Sequence, residues 1–344
     1  MPDDTRPVET GRAASTATST SPRGDGPDGV NGADPYSRDT DNAREAHLES
    51  ELEAGELGGQ LTAVTEPVVA RKKKGPGVLF WAALVWVGLV IFLALFASVL
   101  PFKDPNLPDI PNKLAAPFGD GGILGNDGLG RDVLARLAFG ARVSLQISFA
   151  AVAFGILVGG TLGMLAGYYR GKFEAAVNFV INVIFAFPAL ILLLYIVAAI
   201  GQSLSAITVA ISFLSVPIYT RVARATTLAV AQREYVLAAR ALGATDTRIL
   251  FKEIMPNVIL PVAAFGLVAL GTIIVAEGAL AFLGLSVEAP AATWGSMIAE
   301  GKRHLSSTVW VALVPSLVMF LTVLSLNFVG DILRSRFDVK ESAL

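Results

Sequence analysis

The chain has 344 residues, of which 53% are hydrophobic and 16% charged, with a formal net charge of −2 and no cysteine. Soluble domains carry about 25% charged residues, and here the apolar residues gather into long runs, so composition places the chain in the membrane class. Without cysteine, disulfides and thiolate metal sites are excluded. The two histidines, His47 and His304, stand too far apart in sequence to suggest a metal site.

Residues 1–70 carry 14 acidic and 5 basic side chains, a net of −9, which leaves +7 on the rest of the chain. This stretch is rich in Asp, Gly, Pro, Ser and Thr and has few large apolar residues to bury, which reads as a disordered acidic tail. It lacks the early apolar core of a signal peptide. The basic flank and first span follow, over residues 71–100. Four cations, Arg71 to Lys74, precede Val78 to Leu100, 23 residues without a charge. About 20 apolar residues cross a bilayer, and flanking cations mark the cytoplasmic side.

Residues 101–141 form a polar loop with five prolines, expected outside. A core of five further spans is predicted over 142–333, with apolar segments near 143–169, 173–200, 205–222, 258–284 and 308–330. Residues 334–344 are a short C-terminus. The fold class is therefore an all-α integral membrane protein with six transmembrane helices and both termini cytoplasmic. With that assignment 15 cations after the tail face inward and 7 outward, in agreement with the positive-inside rule. Glycines at 155, 159, 163 and 167 recur every four residues in the second span, which reads as a packing face that lets another helix approach closely. Pro188 is expected to kink the third span.

Chemistry-bearing residues are sparse. No phosphate-binding loop is present, since the lysines of RGKF and EGKR lack the spaced glycine and following Ser/Thr. No nucleophilic triad or metal cluster is visible, so the chain reads as no enzyme. Glu277 is the one deep intramembrane carboxylate and a candidate for function. Asn178, Asn182 and Asn327, also within spans, read as interhelical hydrogen bonders or pathway residues.

Residues 223–257 form a cytoplasmic loop. Within it, Tyr235, Ala238, Ala239 and Leu242 share one helix face, flattened by the two alanines. Gly243 is placed to end that helix. Thr245, Asp246 or Thr247 is placed to cap a second one, closed by Pro256 before the fifth span. A small-residue face of this kind suits insertion into a groove on a partner.

The stretch EYVLAARALG, Glu234 to Gly243, with Ile254, Pro256 and Asn257, resembles the coupling loop of ATP-binding-cassette importer permeases. More narrowly, it looks like the C-type subunit of the dipeptide/oligopeptide/nickel permease family. NDGLGRDVLARLAFGARVSL (126–145), VAEGALAFLGLSVEAPAATWGSMI (275–298) and LSLNFVGDILRSRFD (324–338) resemble further family signatures. Leu237 stands where the coupling motif has glutamate, Glu253 where peptide permeases have histidine, and Asn126 where threonine is usual.

The resemblance, over residues 77–340, implies a type I importer (MetI-like) permease fold in a bacterial cytoplasmic membrane. It implies a heterodimer with a homologous B-type permease, two cytoplasmic ATPases that carry the ATP and Mg, and an external solute-binding protein that delivers di- or oligopeptides. No cofactor on this chain and no nucleic-acid partner is expected. Glu234, Tyr235, Ala238, Ala239, Arg240, Leu242, Gly243 and Pro256 are the implied ATPase-coupling residues. Nickel, glutathione or another solute remains an alternative cargo. A self-contained secondary transporter, or a scaffold signalling through the tail, remains an alternative class. Removal of residues 1–70 separates the last: an importer keeps its solute uptake in whole-cell assays, whereas a scaffold loses its function with the tail.

Overall fold

The computed structural model describes residues 77–119 and 122–341, with side chains through residue 334. The acidic tail 1–70 and the cations Arg71 to Lys74 lie outside the described residues. What is described is built from helices, which is what a hydrocarbon solvent enforces, since it offers no partner to an unpaired backbone N–H or C=O.

Helix α1 (Val78–Phe96) has no charged side chain and leaves most of its surface uncovered. It is fastened at two points. The indole nitrogen of Trp86 donates to Thr322 Oγ1 at 3.1 Å, and Arg142 donates to the carbonyls of Ala94 and Leu95, both at 2.8 Å. The second contact satisfies carbonyls that a helix C-terminus leaves open.

Helix α2 (Val133–Tyr169) begins ten residues before the apolar run predicted for it. Asp132 caps it by accepting the amide of Ala135 at 2.8 Å. Its early, polar turns are buried because Arg131 and Arg136 meet Asp127 and Glu300 there, a pairing between distant segments that hydropathy cannot register. Residues Gly155–Gly160 form a π-helical segment inside α2. The four spaced glycines pack on α5 (Leu204–Val230) as a close-contact face. A methyl group at Gly159 would stand 2.5 Å from the carbonyl oxygen of Val216 and 2.9 Å from Tyr219 Cβ.

The third predicted span is broken rather than kinked. Helices α3 (Gly171–Phe185) and α4 (Ala189–Ile200) meet at 84° across Ala186 to Pro188. Proline supplies no N–H and disfavours a helical conformation in the residue before it. Among the described residues five helices are long and apolar enough to cross a membrane, and six spans result if α3 and α4 count as one.

A short helix α6 (Glu234–Ala241) follows α5. The rest of the loop departs from expectation. Asp246 to Phe282 is one continuous apolar element, α7, in which a π segment at Ile249–Ile254 leads directly into Met255 and Pro256. Pro256 therefore closes no separate helix. It sits in the first turn after the π segment, where the Met255 amide already reaches back to Leu250 and a missing N–H costs least. Helix α8 (Trp294–Gly301), with Trp294 fully buried, and the long α9 (Trp310–Glu341) complete the chain.

The glycine face yields a paired test. Gly159→Ala should lower the apparent melting temperature of the purified protein, at a cost of about 1–3 kcal/mol from overpacking. Gly160→Ala, where nothing lies within 4 Å of the added methyl, should leave it unchanged or raised.

Candidate functional site: the α6 segment

Helix α6 is a short knob set between two spans. Arg233, in extended conformation, starts it; Glu234 stands in its first turn and Arg240 in its last, the order that complements the helix dipole. Val236 is completely buried and anchors it, and Ala239 packs against the core beside it. The opposite side is uncovered: Tyr235 is 43% exposed, Leu237 50% and Leu242 88%, with Ala238 between them. The sequence grouped Tyr235, Ala238, Ala239 and Leu242 on one face. In the structure Ala239 turns inward and Leu237 joins the exposed group. Exposed apolar side chains on a short helix make this face a candidate contact surface.

The helix ends by a Schellman arrangement. The Ala244 amide donates to the Ala239 carbonyl at 3.1 Å and the Gly243 amide to that of Arg240 at 3.0 Å. Gly243 adopts φ +80°, a left-handed conformation that glycine takes without a Cβ clash. Thr245 caps α7 through its hydroxyl, which accepts from the Arg248 amide. Tyr168, in the last turn of α2, donates to Asp246 Oδ1 at 2.6 Å, and the Arg240 guanidinium lies 5.6 Å from the Tyr168 ring centroid. No feature of the sequence pointed to Tyr168, because the contact joins residues 78 positions apart.

The four intramembrane candidates do not converge. Asn178 is half-buried on α3. Asn182, exposed on α3, accepts from Arg221 Nη2 of α5 at 2.9 Å, and that guanidinium stacks 4.2 Å over Phe185. Asn327 of α9 donates to its own helix, to the Val323 carbonyl at 2.8 Å. Glu277 lies near the far end of α7 and is 1% exposed. Its Oε1 accepts from Thr293 Oγ1 at 2.7 Å, and Ser286 Oγ stands 3.5 Å away. Thr293 is the N-cap of α8, so this carboxylate ties α8 to α7.

Beside it lies a second polar cluster that the sequence left unremarked. Arg131 reaches Asp127 at 2.7 Å and Glu300 at 2.7 Å, while Arg136 Nε is 3.3 Å from Asp127. Two cations and two carboxylates thus hold the 101–132 loop against α8. Among the described residues no group of three or more His, Asp or Glu side chains is placed to hold a metal ion. Glu277→Ala should cost about 1–3 kcal/mol, because two buried hydroxyls lose their acceptor. Glu277→Gln, which keeps an acceptor oxygen for Thr293, should cost less, as read by thermal unfolding of the two purified variants.

Comparison with known proteins follows the same segments. Residues 159–341 match the family described as "Binding-protein-dependent transport system inner membrane component". The chain is similar to the dipeptide transport system permease protein DppC of Alkalihalophilus pseudofirmus, at 34% identity over 281 residues, covering 82% of this chain and 92% of that one. It is similar to the glutathione transport system permease protein GsiD of Pectobacterium atrosepticum, at 36% identity over 260 residues, covering 75% and 86%. Among solved structures it resembles a chain of the MetNI methionine ABC transporter in an inward-facing conformation. That match has a TM-score of 0.50 at 22% identity, covers 59% of this chain and 96% of that one, and bears on the fold alone.

Proposed function

Because the chain belongs to the family of binding-protein-dependent transport system inner membrane components, as a permease subunit of a dipeptide/oligopeptide-type ABC importer, we propose that its cargo is short peptides and that α6 is its point of contact with an ATPase. The two relatives named above are called dipeptide and glutathione permeases, and both names denote short peptides. In this reading the chain spans a bacterial cytoplasmic membrane with both termini inside. A homologous permease completes the pathway, an external binding protein delivers the peptide, and ATP and Mg bind the partner ATPases.

The observation that carries the reading is α6 itself. It is an exposed apolar knob with a rigid glycine cap, in a chain that has no nucleotide-binding loop of its own. In the sequence the segment holds or closely follows Arg221, Arg224, Arg233 and Arg240, the cation-rich pattern of cytoplasmic segments. Closure of two ATPases displaces α6. Since α6 packs on the first turns of α7, and α7 runs unbroken to Glu277, the displacement reaches the opposite end of the molecule through one helix.

The Ala238 side chain is exposed, so Ala238→Glu leaves the protein in the membrane. It places an unpaired carboxylate in the interface at a cost of about 2–5 kcal/mol, which weakens ATPase association by at least about thirtyfold. Gly243→Pro removes both the left-handed φ and an amide donor. Both variants should abolish peptide uptake with normal membrane levels by immunoblot. Normal uptake by either one contradicts the coupling role.

A further inference from the structure

The α6 segment is joined covalently to α5 through residues 231–233, and three further connections lead from it to two other spans. Ala244 and Thr245 connect it covalently to α7, and Val236 is buried where α6 packs on the Ile249–Ile254 turns of the same helix. The third connection leads elsewhere. Tyr168 belongs to α2, its ring is packed against the core, and its hydroxyl donates to Asp246 at 2.6 Å. Arg240, in the last turn of α6, sets its guanidinium against the same ring. A hydrogen bond to a carboxylate and a cation–π contact thus converge on one side chain.

The stretch of α2 that carries Tyr168 is bounded at both ends. At one end is the π segment Gly155–Gly160, where the helical register changes. At the other, Arg170 and Gly171 both take positive φ, +53° and +63°, so α3 does not continue the helix. Between them Thr161–Tyr169 lies on α5 through Gly163 and Gly167, whose missing side chains leave a smooth contact. Two and a half turns of α2 therefore form a short lever, set off by the π segment at one end and the turn at Arg170 at the other, with Tyr168 in its last turn.

We propose that Tyr168 is a positioning residue for transport. It clamps this lever to α6, so that movement of α6 is passed to α2 as well as to α7. The inference rests on the reading of α6 as the ATPase contact. It also gives Arg240 a role: its charge serves the clamp, not the ATPase surface, even though Leu237 leaves the neighbouring surface without the acidic group of the coupling motif.

The test uses the complete importer, with both permeases, the ATPases and the peptide-loaded binding protein, in liposomes. Peptide accumulated and ATP hydrolysed are measured on the same vesicles. Tyr168→Ala, which removes both contacts, should lower peptide moved per ATP by about fivefold or more, the lower end of coupling between sites. Tyr168→Phe, which removes only the hydroxyl, should fall between, and Asp246→Asn, which keeps an acceptor oxygen, should stay near the natural ratio. A merely structural role lowers the amount of complex, or both rates together, and leaves the ratio unchanged; that result overturns the proposal.

Ala238→Glu in the same assay separates the two claims. If it leaves ATPase association intact, the reading of α6 fails and this inference with it. If it abolishes association while Tyr168→Ala keeps the natural ratio, only the clamp fails. The chain's lack of cysteine permits a second readout. Spin labels on cysteines at the exposed positions 169 and 247, with cysteine-free partners, should hold one distance with and without ATP in the natural background. They should separate or broaden in Tyr168→Ala, and a distance that changes on adding ATP in the natural background overturns the clamp.

Discussion

Hydrocarbon offers the backbone no hydrogen-bonding partner, and the rest of this structure depends on that constraint. Every segment between the two faces has to be helical, so the molecule moves by shifting whole helices and not by refolding them. Its few irregular points are the π segments in α2 and α7, the break between α3 and α4, and the left-handed residues at Arg170 and Gly243. These are the places where helices can shift against one another. Helix α7 is, with α2, one of the two longest spans. At 1.5 Å per residue the stretch from the capping turn at Thr245 to the Glu277 carboxylate that holds α8 spans about 48 Å.

The two ends of the molecule are built differently, and the difference fits an importer. Far from α6, buried charges and hydroxyls fasten loop, helix and span together: Arg131 and Arg136 with Asp127 and Glu300, and Glu277 with Thr293. Such groups are costly to bury and costlier to separate, so this end is a fixed platform. Around α6 the contacts are fewer and lie nearer the surface. A single buried valine, a capping glycine and one tyrosine locate a helix whose outer face is left open. A partner can displace such an element without breaking a core.

Much of this was legible in the sequence, and the misses have physical causes. Long charge-free runs located the spans, because burial in lipid selects for composition. The Gly243 cap was legible because one left-handed residue after a helix calls for glycine. The start of α2 was not, because Arg131 and Arg136 are polar to a hydropathy reading and are buried with Asp127 against Glu300, more than 160 residues away in sequence. Pro188 ends a helix, whereas Pro217, Pro261 and Pro315 lie inside continuous ones. The proline alone does not decide; packing around it does. Ala239 and Leu237 exchanged faces because neither differs enough in polarity from its neighbours to fix the helix's rotation, which Val236 sets by burial. Glu277 stood out as a lone deep carboxylate, and its partners Thr293 and Ser286 arrive from a loop that the sequence could not dock.

The measurement that bears most directly on the central claim is ATP hydrolysis by the complex in lipid. This chain is co-expressed with its candidate partner permease and ATPases, and hydrolysis is compared with and without external binding protein loaded from a dipeptide mixture. The account predicts that the ATPases co-purify and that peptide-loaded binding protein stimulates hydrolysis. If no ATPase associates and the exposed face of α6 stays unoccupied, α6 is not a coupling element and the account is contradicted.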